Sequence, residues 1–275
     1  MKHTLFIFTV ALAIFSTGCF VYDPTADFVK QRYTNSVAYF NTYYNAQRAF
    51  SEAEDEVLTA QKDFRDKSIT GSVKQFTISQ TARTKFTSSI EKNSKLLTFY
   101  PTSKWVDDAL LMIGKAYYYM EDDVKAERKF LELFVKYPES SLLDEGQLWY
   151  GKCLLRQKKY TEGVKQLENL YAKLLQTNEE IAGQASYELA QYYFTIQNYE
   201  SANKFYSQAL PLIGDDDQRA EIEFQNGKCF DELEQLDKAE KAFASVSDHT
   251  ASYGLYFQAK LRRIKTLSKQ KKYDE

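Results

Sequence analysis

The sequence predicts an all-α solenoid of about five to six stacked helix-turn-helix repeats, and three observations carry that prediction. Backbone breakers are scarce, with 10 Gly and 4 Pro in 275 residues, whereas strands need turn residues at short intervals. Four segments share one pattern: a small residue, an aromatic or Leu three later, a small residue twelve later, and a large apolar residue four after that. They are Gly114/Tyr117/Ala126/Phe130, Gly151/Leu154/Gly163/Leu167, Ala190/Tyr193/Ala202/Tyr206 and Gly227/Phe230/Ala239/Phe243. The leading small residues step by 37, 39 and 37, and a constant period near that length marks a stacked array rather than one globule.

The elements follow in chain order. Met1 and Lys2 open a charged end, Leu5 to Phe15 is an apolar run, and Ser16-Thr17-Gly18-Cys19 follows at once. The run is shorter than the roughly 20 residues that span a bilayer, so residues 1–18 read as an export signal outside the fold. The stretch resembles a bacterial lipoprotein signal, whose Gly-Cys pair precedes acylation. That resemblance makes Cys19 the lipidated residue and 19–27 a linker. Ser16 stands where the family most often has an aliphatic residue, so cleavage without lipidation is the alternative. Acyl burial contributes about 0.8 kcal/mol per CH₂, so several chains hold a soluble domain on a membrane where one does not.

Residues 28–100 read as divergent repeats. Asn45 to Ala53 carries the second-helix signature through Ala46, Phe50 and Ala53, which starts a first unit near Phe28. Thr77 to Thr98 reads as a helix ending at Tyr100-Pro101, and Arg65 to Ser72 as a loop. From 101 to 275 the repeats are regular, because positions three and four apart share a helix face and small residues let paired helices approach. Pro101-Thr102-Ser103 and Pro138-Glu139-Ser140-Ser141 place capping residues ahead of Asp107/Asp108 and Asp144/Glu145, acids suited to the positive end of a helix. Gly214-Asp215-Asp216-Asp217 reads as another cap. Its acids lack the alternating ligands and closing Glu of a calcium loop. At the far end, Ile264 to Leu267 and Lys272 to Glu275 run in frame with the earlier units, as for a truncated repeat. The other reading makes Leu255 to Lys272 a basic cap.

Composition excludes several functions. Without Lys2 the 36 Lys+Arg become 35 against 38 Asp+Glu, a net charge of −3, which offers no global attraction for nucleic acid. A hydrophobic share of 44% and a charged share of 27% describe a packed domain. His3 leaves with the signal, so a Ser-His-Asp triad would have to use His249, in the polar Ser247-Asp248-His249-Thr250 turn. Cys153 and Cys229 occupy one slot of two similar segments and read as small buried apolar residues. No Cys-x-x-Cys pair suggests zinc. No enzyme, cofactor, metal or small-molecule substrate is expected.

The pattern resembles the tetratricopeptide repeat, whose units place Gly/Ala, Tyr, Ala, Phe and a closing Pro in this order. The match runs from about Asp107 to Asp248, with Pro138 closing the first unit and Gly163 and Leu167 weakening the second. In that family the first helix of each unit lines a concave groove. The resemblance assigns to it Lys115, Tyr118, Tyr119, Lys152, Arg156, Tyr187, Gln191, Phe194 and Lys228. Lys in one slot of three units, beside aromatics, suits an extended peptide with acidic groups or a free carboxyl end. The plainer reading makes these residues exposed lysines and core rings. The basic stretch Lys260 to Lys265, with Lys269, Lys271 and Lys272, reads as a solvated face before a site for anionic headgroups.

With its lipid signal and the Tyr-Pro-x-Ser joints at Tyr100 and Tyr137, the chain resembles the BamD family of outer-membrane assembly lipoproteins. That implies a scaffold on the periplasmic face of the outer membrane, with protein or peptide partners that include a barrel-forming insertase. Phe20 after Cys19, in place of the Asp that retains lipoproteins at the inner membrane of enteric bacteria, agrees. Asn35 to Glu54, with Tyr39-Phe40-Asn41-Thr42-Tyr43-Tyr44, also looks like larger tetratricopeptide lipoproteins of gliding and secretion machines. A nutrient-binding outer-membrane lipoprotein is the third reading.

Overall fold

The computed structural model describes residues 24–68, 76–249 and 252–270. The export signal, Cys19, the loop at Gly71 and Lys272 to Glu275 lie outside them. No strand occurs among the described residues. The helices are α1 (Pro24–Ala38), α2 (Tyr44–Ser68), α3 (Gln80–Phe99), α4 (Val106–Tyr119), α5 (Asp123–Lys136) and α6 (Leu143–Arg156). They continue as α7 (Tyr160–Leu174), α8 (Glu179–Thr195), α9 (Tyr199–Ala209), α10 (Asp216–Glu232), α11 (Leu236–His249) and α12 (Tyr253–Lys269). The pairs α2/α3, α4/α5, α6/α7, α8/α9 and α10/α11 are antiparallel hairpins, and each packs on the next. The second helix of α4/α5 meets the first of α6/α7, and so along the array, so the described residues form an all-α solenoid of five hairpins followed by α12.

The spacing of small and large residues sets how each hairpin closes. A Cβ added at Gly114 would lie 2.5 Å from Phe130 Cε1, one at Gly151 2.6 Å from Leu167 Cδ2, and one at Gly227 2.7 Å from Phe243 Cε1. These separations are well inside van der Waals contact, so the paired helices sit closer than any other residue would allow. The weak second unit closes like the others, with Leu167 in the ring's place. In the third, Ala190 and Tyr206 are both fully buried.

Each inner turn repeats one backbone design. Helix ends at Asp122, Lys159, Asn198 and Gln235 donate N–H to the carbonyls of Tyr117, Leu154, Tyr193 and Phe230 at 2.9, 2.9, 2.9 and 2.8 Å. This is the six-to-one bond of a Schellman stop. The preceding residue takes the left-handed conformation each time: Glu121, Lys158, Gln197 and Glu234 have φ of 65, 64, 60 and 57°. None is the glycine that this backbone favours. Asp122 and Asn198 then cap the following helix, accepting from Lys125 N and Ser201 N.

Between hairpins, the two Tyr-Pro-x-Ser joints are superimposable in their torsions. Tyr100 and Tyr137 have φ/ψ of −132/51° and −131/59°, and Pro ends the helix because it lacks an N–H and disfavours helix in the residue before it. Ser103 and Ser140 do not cap, contrary to the sequence reading. Their hydroxyls accept from Trp105 N at 3.4 Å and Leu142 N at 3.1 Å, two residues on, a local turn that competes with capping. The helices start later, at Val106 and Leu143, behind Trp105 and Leu142, which make no side-chain cap bond. Asp107/Asp108 and Asp144/Glu145 do occupy the first turns, and Asp215 caps α10 by accepting from Gln218 N at 2.7 Å.

Four expected boundaries move, the first being the helix read from Thr77, which starts at Gln80 with Ser79 as its cap. The first unit has no inner turn between Phe28 and Glu54: α1 runs into α2 through a π-helical turn, Tyr39–Tyr43, with helical torsions on both sides. The sequence there holds no Gly or Pro. The π-turn buries Tyr43, which stacks on Trp105 at 4.6 Å and donates to Asp108 Oδ1 at 3.2 Å. Trp105 Nε1 returns a bond to Asn35 O at 3.2 Å, so α1 docks on the first joint. The loop expected from Arg65 starts later, because α2 continues to Ser68. His249 ends α11 rather than sitting in a turn.

Replacing Gly114 by Val should destabilise the fold by about 1–3 kcal/mol, the usual cost of overpacking a core. Gly214→Ala, where nothing lies within 4 Å, should stay within about 0.5 kcal/mol in the same urea titration. Lys158→Gly should instead stabilise by roughly 1 kcal/mol by relieving the left-handed backbone, read as a raised midpoint at unchanged slope.

Candidate protein-binding groove

The first helices α4, α6, α8 and α10 lie side by side, and the residues expected to line a groove fall along them. Their charges are answered from within the chain. Lys115 Nζ lies 3.1 Å from Glu145 Oε1 and 3.3 Å from Glu54 Oε1, the latter on α2. Lys152 Nζ lies 2.7 Å from Glu188 Oε1. Arg156 Nε contacts both Asp123 carboxylate oxygens at 2.8 Å, and its Nη2 donates to the Tyr118 carbonyl at 2.6 Å. Burial opposes the charge on Lys152, yet the Glu188 carboxylate, with Tyr118 and Tyr187 beside it, holds the ammonium above its usual range. The aligned cations are therefore internal counter-charges, and the sequence reading missed Glu54, Asp123, Glu145 and Glu188.

Lys228 differs. No ion pair reaches it among the described residues; it donates to Gln225 Oε1 at 3.0 Å and sits 4.4 Å over the Phe194 ring. Burial, helped by the nearby Arg262, pushes its pKa down.

Rings fill the space between these pairs. Tyr118 and Tyr119 both pack edge-on to Trp149, at 5.0 and 5.5 Å. Tyr119 also stacks on Phe86 at 5.2 Å and donates to Glu54 Oε1 at 2.9 Å, and burial followed by the Glu54 charge pushes its phenol up. The Arg156 guanidinium lies 3.6 Å from the Tyr118 ring centre, and Lys152 lies 4.4 Å from that of Trp149. Gln191 donates to the Tyr187 hydroxyl at 2.9 Å.

One open cleft emerges where α6 meets α8. Its volume is about 270 Å³, and its walls include Tyr118, Arg156, Tyr160, Gln191, Tyr192 and Ile196. Tyr160 and Tyr192, which the sequence reading left out, face each other at 5.2 Å. Tyr118, Lys152, Arg156 and Gln191 of the expected set reach it. Lys115 and Tyr119 lie nearer α2, and Phe194 and Lys228 belong to the next interface. Such a cleft takes an apolar or aromatic side chain against its rings, with the Gln191 carboxamide at hand for a peptide backbone.

Cys153 and Cys229 are fully buried, unpaired thiols. Burial pushes each up to about 12, far from a reactive thiolate.

Residues 108–140 match the tetratricopeptide repeat family. Together with the stacked hairpins, that makes the fold a tetratricopeptide-type solenoid. A comparison with curated proteins gave no match. Among solved structures the chain is similar to BtubC from P. vanneervenii, at a TM-score of 0.54 and 14% identity over 70% of this chain and 84% of that one. The C-terminal part of a TPR repeat-containing protein from Cytophaga hutchinsonii gives 0.54 and 15% over 77% and 70%. PilF of Pseudomonas aeruginosa gives 0.50 and 11% over 83% and 88%. At these identities the likeness is one of fold.

Lys152→Met should cost about 3 kcal/mol, because Glu188 is left half-buried and unanswered, and adding Glu188→Leu should recover most of that loss in thermal denaturation. Both buried thiols should resist alkylation at pH 8 in the native state and react once urea unfolds the chain, as read by mass spectrometry of the modified peptides.

Proposed function

We propose that this protein is a lipid-anchored scaffold of the bacterial cell envelope. It holds an extended segment of a partner protein in the cleft between α6 and α8, and it acts in outer-membrane protein assembly. A tetratricopeptide solenoid serves protein–protein interaction, and the observation that carries the reading is the cleft itself. Aromatic walls stand open while the two cations that line it, Lys152 and Arg156, are already paired with Glu188 and Asp123. Partner selection then rests on ring packing and backbone amides more than on long-range charge, so binding varies little with salt. This shifts weight from the lysine row to Tyr118, Tyr160, Gln191 and Tyr192. No helix among the described residues is long and apolar enough to cross a membrane, and the reading places the membrane attachment at Cys19.

A photo-crosslinking residue in place of Gln191, used in cells, should capture a discrete envelope protein. The same residue at the exposed Val135 of α5 should not, and identical patterns from the two positions would contradict the cleft. An insertase-type partner supports assembly, whereas a secretion or gliding component selects the other lineage. Cys19→Ala should abolish labelling by an alkyne fatty acid and move the protein from the outer-membrane fraction to the soluble one; unchanged fractionation would remove the anchor.

A further inference from the structure

We infer that Lys228 of α10 and Arg262 of α12 form an anion-binding point in the groove, which takes the side-chain carboxylate of an acidic residue in the partner segment. The inference rests on the protein-binding reading but on a second point of the groove, and its test separates the two.

The register of the repeat brings these two cations together. A polar side chain follows each leading small residue: Lys115, Lys152, Gln191 and Lys228. Lys152 is answered from the next first helix by Glu188, 2.7 Å away. Glu188 stands three residues before Gln191, and steps of 37 residues carry that position to Gln225 and then to Arg262. The place that supplies a carboxylate to Lys152 therefore supplies a guanidinium to Lys228. α10 and α12 pack on each other, and both side chains are half-buried. The positive field of Arg262 is felt at Lys228, where it adds to burial in disfavouring the ammonium.

The surroundings leave this charge standing. Both first helices that flank Lys228 lie within the described residues: α8 gives it the Phe194 ring at 4.4 Å, and α12 gives it Arg262. Among the described residues no ion pair reaches either cation. The nearest acids are committed elsewhere, Asp231 to Lys269 and Glu240 to Arg263, and Glu232 adds only a weaker field. Two like charges held together and partly out of water disfavour each other, and a carboxylate between them turns that repulsion into two charge-assisted bonds.

Position selects the kind of anion. Lys228 and Arg262 lie inside their helices, Asp216–Glu232 and Tyr253–Lys269, where backbone N–H groups are spent on helix bonds. A phosphate or a chain terminus draws on free backbone N–H groups, whereas a side-chain carboxylate needs only one oxygen for the ammonium and one for the guanidinium. The α6–α8 cleft is two first-helix steps away, roughly 16–20 Å at the usual helix spacing. An extended chain covers that in about five or six residues. The partner segment thus carries an apolar or aromatic side chain for the cleft and an acid about six residues from it. As one short-range contact, the acid fixes register rather than steering the partner from afar.

The test uses the full chain and two acetylated, amidated flexible peptides with a central Trp, flanked six residues away on each side by Glu in one and by Gln in the other. Fluorescence anisotropy should show the Glu peptide binding about tenfold more tightly. Lys228→Gln/Arg262→Gln should remove that advantage and leave the Gln peptide's binding as it was, while Tyr192→Ala in the cleft should weaken both peptides. Arg262→Glu, which copies the Lys152–Glu188 arrangement, should remove the advantage and raise Tm. Equal binding of the two peptides, or an advantage that survives the double variant, overturns the proposal and leaves the cleft standing. A fall in Tm on Arg262→Glu also overturns it, because the two cations would then not face each other. Glu-dependent binding that ignores Tyr192→Ala supports the cation pair and contradicts the cleft.

Discussion

The missing Cβ at three helix positions is the constraint on which the rest of the structure depends. An interior helical glycine costs about 1 kcal/mol relative to alanine, and Gly114, Gly151 and Gly227 each accept that cost at the point of closest approach to Phe130, Leu167 and Phe243. In return the ring or leucine lies against backbone, and each hairpin closes at nearly one distance. Equal hairpins stack with equal steps, and equal steps bring the first helices of successive units side by side. A groove lined by one helix from each unit is the geometric consequence.

Charge then determines what such a groove recognises. Lys115, Lys152 and Arg156 bridge one unit to an acid in the next or the preceding one, and rings of Tyr118, Tyr119 and Trp149 screen them from water. A paired, partly buried cation is a poor lure for a distant carboxylate, because its field is cancelled at short range. It is a good strut, because removing either partner leaves the other charged and desolvated. The lysines thus set the angle between units, and the open aromatic wall of the α6–α8 cleft is left for ligand contact.

Much of this was legible in the residues. The Gly-to-Phe spacing gave the hairpins and their closest approach, and the two Tyr-Pro joints gave the breaks between units. The shared slot of Cys153 and Cys229 was rightly read as burial. What the spacing hid were contacts without a constant register. Lys115 finds Glu145 thirty residues on, while Lys152 finds Glu188 in a different slot, so no period exposes the pairing and the cations looked free. The left-handed turns at Glu121, Lys158, Gln197 and Glu234 recur at 37, 39 and 37 residues, but their side chains lack the glycine that usually signals such a bend. The unbroken run from α1 into α2 was visible in the absence of any breaker. The second-helix signature at Ala46 and Phe50 nonetheless suggested a turn that the π-helical segment replaces.

The central claim is that helix closeness, set pair by pair, builds the solenoid, and a double-mutant cycle on Gly227 and Phe243 measures it most directly. Gly227→Ala raises helix propensity, so an effect of propensity alone would stabilise the chain. The account predicts instead that Gly227→Ala destabilises in the native background and becomes neutral or stabilising once Phe243→Leu has made room, with a coupling of about 1 kcal/mol or more in urea denaturation. Additive effects, or stabilisation by Gly227→Ala beside the intact Phe243 ring, would contradict it.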